Sequence, residues 1–596
     1  MIKKIIDFSV HNRLLVVLFF LMVMTLAAWA AFHSKLDAVP DLSDVQVVVL
    51  TDYPGQSPGV VEKQVTYPLE TQLIHVPKVT AVRGQSMFEY SLVTVVFKNG
   101  TNLYWARDQV LSYLDYAKAL LPAGVTPQLG PDATGAGWAY QYILYPGWYC
   151  KNHPNGIWHD PRFPTHWYAH RIDAPPALRS ALVRVRAFNR PGKSPLSGRP
   201  LVSSDMNLGQ LRSLQDWFVR YQLEAVPGVS EVAGIGGFVE EYQVVLNPNQ
   251  LRAYNLSVGA IIRAIRNSNN EVGGAVVDNS EFQYIVRSRG YLKNLKQLGE
   301  VPVGAAKNGT PLLLHDVATL QIAGQQRQGI LDWNGRGEAV GGIVVVRFGA
   351  DTYQVVQAVK KKITLLARSL PPGVIFKTGY DRLNLINRSI NTLSDTLREE
   401  MIVVAVICLI FLLHGRSALV AITVIPASMI ISLAILYLLG ISANIMSLSG
   451  IAIAIGVVVD SAIVMIENAH QHLNREDLRL AAGGEPRSQI VIISEAAQEV
   501  GPSLFFSLLI ITISFLPIFV LPGESGKMFS PLALTKTFAM AAAAVLSITI
   551  VPVLMVYFIR PRLFPRIWPW WIQWPAALAV ISGPALGLYW ALGRIL

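Results

Sequence analysis

The chain has 596 residues, of which 52% are apolar and only 15% charged, with a mean hydropathy of +0.39. A soluble globular domain carries roughly 25% charged residues, so this composition argues against water as the only solvent. The net charge of +11 does not call for a nucleic-acid partner, because basic residues of a membrane protein gather at cytoplasmic loops and anionic lipid headgroups. Two cysteines, Cys150 and Cys408, are too few for a disulfide framework.

Crossing the hydrocarbon core takes about 20 apolar residues in a helix, because every backbone group must be satisfied internally. Residues 14–32 meet that length behind Lys3, Lys4 and Arg13. No small-residue cleavage site precedes the polar sequence at His33, so residues 1–36 read as an uncleaved anchor.

Residues 37–388 are mostly polar and alternate short β-rich runs with amphipathic helices, an α+β pattern. Strands are expected at 45–50, 92–97 and 343–348, and helices at 58–72, 103–121, 208–225, 257–268 and 353–370. Gly234, Gly236 and Gly237 read most simply as a hairpin turn. A cofactor-binding glycine loop would need a following helix and an acidic partner, which are missing.

Further spans are expected at 401–413, 419–439, 445–466, 500–521 and 532–559, within a helical region 389–562, with a seventh near 575–592 inside 563–596. The run 401–413 is short, so its helix should start earlier. Alternating the spans puts the N-terminus, 414–416, the 470–487 loop and 560–566 on one side. These connections are arginine-rich and hence cytoplasmic. The turns at 440–444 and 522–531 and the large α+β region fall on the other side, the periplasm in a cell with two membranes. Trp568, Trp570, Trp571 and Trp574 have the composition of an interfacial aromatic belt.

A pump driven by ATP would need a phosphate-cradling loop, with Lys after Gly and then a hydroxyl residue. The nearest likeness, 523–528, has the wrong spacing and lacks the hydroxyl after Lys527. Ion coupling then needs an ionisable group within the membrane. Asp460 supplies one, between Val457, Val458 and Val459 on one side and Ile463 and Val464 on the other. An aspartate at a helix centre costs roughly 2.5–3.5 kcal/mol on insertion scales. Glu467 lies seven residues on, nearly on the same helical face, and the two together could begin a proton path. The plainer alternative has Asp460 hydrogen-bonding a neighbouring helix and Glu467 at the cytoplasmic helix end.

Residues 444–470, NIMSLSGIAIAIGVVVDSAIVMIENAH, resemble the fourth transmembrane helix of heavy-metal efflux permeases of the resistance-nodulation-division (RND) superfamily. The likeness extends to DAVPDLSDVQ at 37–46, YPGQ at 53–56, VTYP at 65–68, LYWAR at 103–107, GPDATG at 130–135, LRSLQDWF at 211–218 and PLALTKTF at 531–538. The resemblance implies an RND permease-like fold: a membrane α-helical bundle with an α+β periplasmic porter and docking region, one half of the usual two. It further implies a multi-pass inner-membrane protein, a secondary active proton/metal-cation antiporter and not an enzyme. Such a permease is a homotrimer working with a periplasmic adaptor and an outer-membrane channel.

By the same resemblance Asp460 matches the proton-carrying aspartate. Gly456, where zinc, cobalt and cadmium exporters have a second acid, points to the copper and silver subgroup. Met446 and Met465 match methionines proposed to relay the soft cation, whose affinity for thioether sulfur suits Cu(I) and Ag(I). Val458 departs from that pattern, and methionines in an apolar helix are otherwise ordinary packing residues. No resident cofactor is implied.

Two departures from the family follow. The chain stops about where the second half's first helix would end, so a missing C-terminal half, with the remaining proton-path and metal-binding residues, is expected to complete it. The alternatives are a non-transporting membrane-anchored interaction fragment or an RND exporter of organic compounds. Second, residues 145–204 read as an insertion. It holds Cys150, His153, His159, His166 and His170, ligand types that suit copper or zinc, with helical i, i+4 spacing between the last two. The spacing matches no standard zinc motif, and Pro154, Pro161 and Pro164 favour an exposed irregular loop instead.

Overall fold

The computed structural model describes residues 1–559 apart from 272, 280–281, 288–289, 307–308, 328 and 413–414. A short amphipathic helix, Ile2–His11 (α1), buries Ile6 and Val10. Arg13–Phe32 (α2) follows, with Leu14, Leu18, Phe19 and Met22 left uncovered by protein, as a lipid-facing helix requires.

The chain then builds a β-α-β-β-α-β unit. Its elements are Gln46–Asp52 (β1), a helix continuous from Pro58 to Leu73 with a π-helical turn at Glu62–Thr66, Val79–Met87 (β2), Tyr90–Phe97 (β3), Leu103–Lys118 (α3) and Gln128–Leu129 (β4). The strands pair antiparallel in the order β2-β3-β1-β4. Alternation in β1 turns Val47, Val49 and Thr51 inward. Val61, Val65, Leu69 and Leu73 at four-residue spacing, with Ala106, Val110, Leu114 and Ala117 of α3, cover that face. Asn102 caps α3 by accepting from the Tyr104 and Trp105 amides.

A second unit repeats the first. Trp138–Pro146 (β5), a helix from Leu208 to Glu224, Val229–Gly236 (β6), Glu240–Leu246 (β7), Ala318–Gly324 (β8), Val340–Val346 (β9), Thr352–Leu366 (α4) and Val374–Asp381 (β10) follow in order. Its sheet order, β6-β9-β5-β10, is place for place that of the first unit. Two excursions distinguish it. Residues 237–339 leave where the first unit makes its two-residue β2–β3 turn, so the glycines expected to form a hairpin do not. Gly236 and Gly237 adopt φ of +77° and +63° and send the chain out of the sheet, with β6 pairing to β9 and β7 to β8.

The other excursion, residues 147–204, is not the irregular loop weighed above. Ile157–His159 is the central strand of a three-stranded sheet with Trp167–Tyr168 and Val183–Val185. Cys150, Ile157 and Leu201 form a small core under Trp148, Trp167 and Phe188. Its ends are pinned together, because Trp148–Tyr149 pairs with Val202–Ser203 and the Ser204 amide donates to the Gly147 carbonyl at 2.9 Å.

β10 runs directly into Arg382–Leu412 (α5), so residues 401–412 of the short run are the end of a 31-residue helix, as its length required. Gly415–Leu438 (α6), Ile445–Ala481 (α7), Gln489–Ser514 (α8), Gly523–Ile548 (α9) and Ile550–Phe558 (α10) complete the described bundle. Among the described residues five helices are long and apolar enough to cross a membrane. Several boundaries differ from expectation, among them the span expected at 500–521, which is helical from Gln489 to Ser514. The 470–487 loop shortens to 482–488 because α7 continues to Ala481, and the turn expected at 522–531 is helical from Gly523. The span 532–559 breaks at Thr549, whose ψ is −75°. The seventh span and the tryptophan cluster lie outside the described residues.

α7 packs against α5, α6, α8 and α9. A β-carbon at Gly450 would overlap the Leu532 carbonyl oxygen and the Thr535 hydroxyl, so glycine is what lets α7 and α9 approach this closely. At Gly501 of α8 a β-carbon would meet only the far end of the Ile6 side chain of α1, which can shift.

Candidate functional site

Asn444 begins α7 by accepting from the Ser447 amide, while the Ser447 hydroxyl accepts from the Asn444 amide. From there the 3.6-residue period divides the helix into two faces. Leu448, Ile451, Ile455, Val458, Ala462, Met465, Ile466 and Ala469 are buried against the neighbouring helices. Ile453, Gly456, Asp460, Val464 and Glu467 form a continuous stripe left uncovered by the rest of the chain. A β-carbon at Gly456 would meet nothing within 4 Å, which marks the stripe as open space.

Asp460 therefore sits in mid-helix on the open face. It makes no hydrogen bond or ion pair among the described residues, so the alternative in which it bonds to a neighbouring helix has no counterpart here. Glu467 is on the same stripe, about 10 Å further along at 1.5 Å per residue, and accepts from Gln471 at 3.3 Å. Beyond it the helix end is rich in polar ties to its neighbours. Asn468 donates to the Ala496 carbonyl at 2.9 Å, His470 meets Ser417 at 2.8 Å, and His472 meets Glu499 at 2.6 Å.

The methionines are placed differently. Met465 is fully buried in the bundle core, on the face away from Asp460, while Met446 is half-buried in the first turn. Nineteen residues of helix, about 28 Å, separate them, so they do not share one site.

Sequence reasoning passed over Lys536. Its residue is 7% exposed, in the middle of α9, and its ammonium lies 3.6 Å from the centroid of the Phe515 ring. The signal was available, since a lone lysine in an apolar span is as expensive as an aspartate.

The inserted segment does not gather its ligand types. Cys150 is buried and donates to Ser194 at 3.2 Å. His159 stacks on Trp167 with centroids 4.1 Å apart, and His166 lies against Phe163. His153 and His170 face each other at 6.3 Å between ring centroids. His166 and His170 do not share a helix, because Trp167–Tyr168 between them is a strand. Among the described residues no group of three or more His, Cys, Asp or Glu side chains could hold a metal ion.

The start of α7 is strapped to the α+β region. The Asp37 amide donates to the Ala443 carbonyl, the Ala443 amide to Lys35, and the Ile445 amide to Ala38. Lys527 near the start of α9 reaches the Ser43 carbonyl at 2.8 Å and Asp44 at 3.2 Å. Both ties join the bundle to the segment that leads into β1.

Comparison with known proteins agrees with this architecture. The model of the AcrB/AcrD/AcrF family matches residues 5–145 and 181–567, and the unmatched residues 146–180 overlap the first part of the 147–204 excursion. The cation efflux system protein CusA of Escherichia coli (strain K12) is 45% identical over 567 residues, covering 95% of this chain and 49% of CusA. The cobalt-zinc-cadmium resistance protein CzcA of Cupriavidus metallidurans is 34% identical over 569 residues, covering 94% of this chain and 48% of CzcA. A crystal structure of a heavy metal efflux pump superposes with a TM-score of 0.72 at 27% identity, over 92% of this chain and 48% of that one. The chain spans about half the length of the curated relatives it matches. It belongs to the AcrB/AcrD/AcrF family, with the sequence of a heavy-metal efflux permease of the RND superfamily over about half of such a protein's length.

Proposed function

We propose that the chain is an inner-membrane subunit of a proton-driven exporter of heavy-metal cations of the Cu(I)/Ag(I) class, active when a second helical bundle covers the open face of α7. The observation that carries this reading is Asp460, a carboxyl in mid-span with no partner among the described residues, on a stripe that the chain itself leaves bare. A charge in that position is costly in lipid. A covering bundle that presents a basic or proton-accepting group would lower the cost and create a place where one proton is taken up and released per cycle. Glu467, on the same stripe, would extend the path toward the His472–Glu499 end.

In this reading the α+β region stands outside the cytoplasm, and the assembly is a trimer joined to an adaptor and an outer-membrane channel. The choice of a soft monovalent cation rests on the resemblance and on Gly456. Met465, being buried, serves packing first. The test is co-expression of this chain with the complementary half of a relative, followed by silver and copper tolerance. Tolerance should rise, and Asp460→Asn should abolish the rise. Equal tolerance with both versions would remove the proton-relay role.

A further inference from the structure

Residues 147–204 carry nine Lys and Arg against two Asp, a net +7 in 58 residues of a chain whose total is +11. Both acids are already engaged. Asp160 is buried and takes the Arg162 guanidinium in a fork with two contacts of 2.9 Å, and Asp173 accepts from the His170 amide at 2.8 Å. Arg162 is the only one of the nine basic groups with a carboxylate partner among the described residues. Arg184 lies on the edge strand Val183–Val185 and Arg171 begins a short turn, its Nε donating to the Arg179 carbonyl at 2.9 Å, while Arg179 and Arg186 donate to backbone carbonyls. Arg171 and Arg184 are both exposed and lie near the Trp158 ring, at 5.6 and 5.9 Å from its centroid. Arg190, Lys193 and Arg199 are exposed nearby in sequence.

The position of this segment narrows what it could meet. β10 passes into α5 at Asp381, and Asp381 pairs with Tyr140 while Val374 pairs with Pro146. The segment leaves from Pro146, so it hangs from the end of the sheet away from the bundle, seven residues or about 23 Å along the strand. A bilayer surrounding the bundle is therefore not the nearest anion. Guanidinium groups held in place bind carboxylates in a two-pronged fashion, and an aromatic ring beside them adds a flat apolar contact.

We propose that residues 147–204 form a basic docking module that takes an acidic segment of a partner protein, with Arg171, Trp158 and Arg184 at its centre. The proposal is independent of transport. It is tested with the whole chain in detergent micelles, using a fluorescent 20-residue peptide rich in Glu and Asp. Binding is expected to saturate, to weaken between low and moderate salt, and to fall about tenfold or more in the triple variant Arg171→Gln/Arg184→Gln/Arg190→Gln. The pair Arg190→Gln/Lys193→Gln, at two exposed positions, gives a smaller loss and guards against misfolding of the triple variant. Unchanged affinity in both folded variants overturns the proposal. So does tighter capture of anionic phospholipid vesicles, or equal binding of single-stranded DNA of the same charge.

Discussion

Asp37 and Arg382 form an ion pair of 3.0 Å in which the arginine side chain is only 6% exposed. Asp37 follows α2 and is strapped to the start of α7, whereas Arg382 is the first residue of α5. The same carboxylate accepts from the Thr352 hydroxyl at the start of α4, at 3.0 Å, and Arg382 also donates to the Ala136 carbonyl. Asp37 thus ties α5 and α4 together through its carboxylate and the start of α7 through its backbone amide. Any displacement of α7 along its axis would be felt there.

Removing that carboxylate leaves a buried guanidinium without its counter-charge. Asp37→Asn should lower stability by about 3 kcal/mol, the order found when one partner of a buried pair is lost. The double variant Asp37→Asn/Arg382→Gln should recover a large part of it. Thermal unfolding of the purified chain measures both, and additive losses would show that the pair is not coupled.

Gly450 permits the close approach of α7 and α9, so Gly450→Leu should separate them. Because the obstructing atom at Leu532 is backbone, the neighbour cannot swing aside. A loss of about 3 kcal/mol is expected, the upper end of the typical cost of overpacking. Gly456→Leu, on the open stripe, should be tolerated by the isolated chain. Comparing the melting temperatures of the two variants checks the assignment of faces.

Lys536 holds an ammonium in mid-span with an aromatic ring and, among the described residues, no carboxylate partner. Lys536→Leu should therefore stabilise the chain, by up to the roughly 2.5–3.5 kcal/mol that a lysine costs at a helix centre. Detergent-solubilised thermal melts report the sign. A destabilised variant would mean that the amine is engaged more strongly than the Phe515 ring alone can engage it.

The α+β region has its own dependence on pH. Burial pushes the Glu231 carboxyl above the usual carboxylate range, with Arg220 opposing and Glu224 adding to the rise. A carboxyl whose pKa is raised on folding binds its proton more tightly in the native state. Its contribution to stability therefore grows as pH falls through the raised value and is lost as pH rises. Glu231→Gln should make the melting temperature less sensitive to acidification from neutral pH toward pH 5, and an unchanged pH profile would count against the burial effect.

Much of this architecture was legible because its signals are local. The strand positions around Val47–Val49, Val93–Val95 and Val344–Val346 and the five helices of the α+β region follow from period-2 and period-3.6 patterns that burial imposes. Asp460 announced itself as a charge among valines. What could not be read is what depends on distant partners. Gly236 and Gly237 carried a turn signal, but whether the turn closes a hairpin or opens an excursion is decided by β9, a hundred residues away. The helical spacing of His166 and His170 was overridden by strand pairing with Ile157–His159. The repetition of one topology in two units was invisible because the two copies share a path of the chain and not a sequence pattern. The boundary errors at 482–488 and 522–531 arose where helices run past the apolar zone into polar sequence, which hydropathy does not mark.

The way residues 147 and 204 are held beside each other has a consequence for how this protein can vary. A segment that leaves after the end of β5 and has its two ends paired to each other can change in length at little more than the entropy of closing a loop. β5 makes its pairs with β9 and β10 within residues 138–146, before the detour begins. The second unit therefore offers a socket in which new surface chemistry can be installed or discarded while the helices below, and the carboxyl at position 460, keep their geometry.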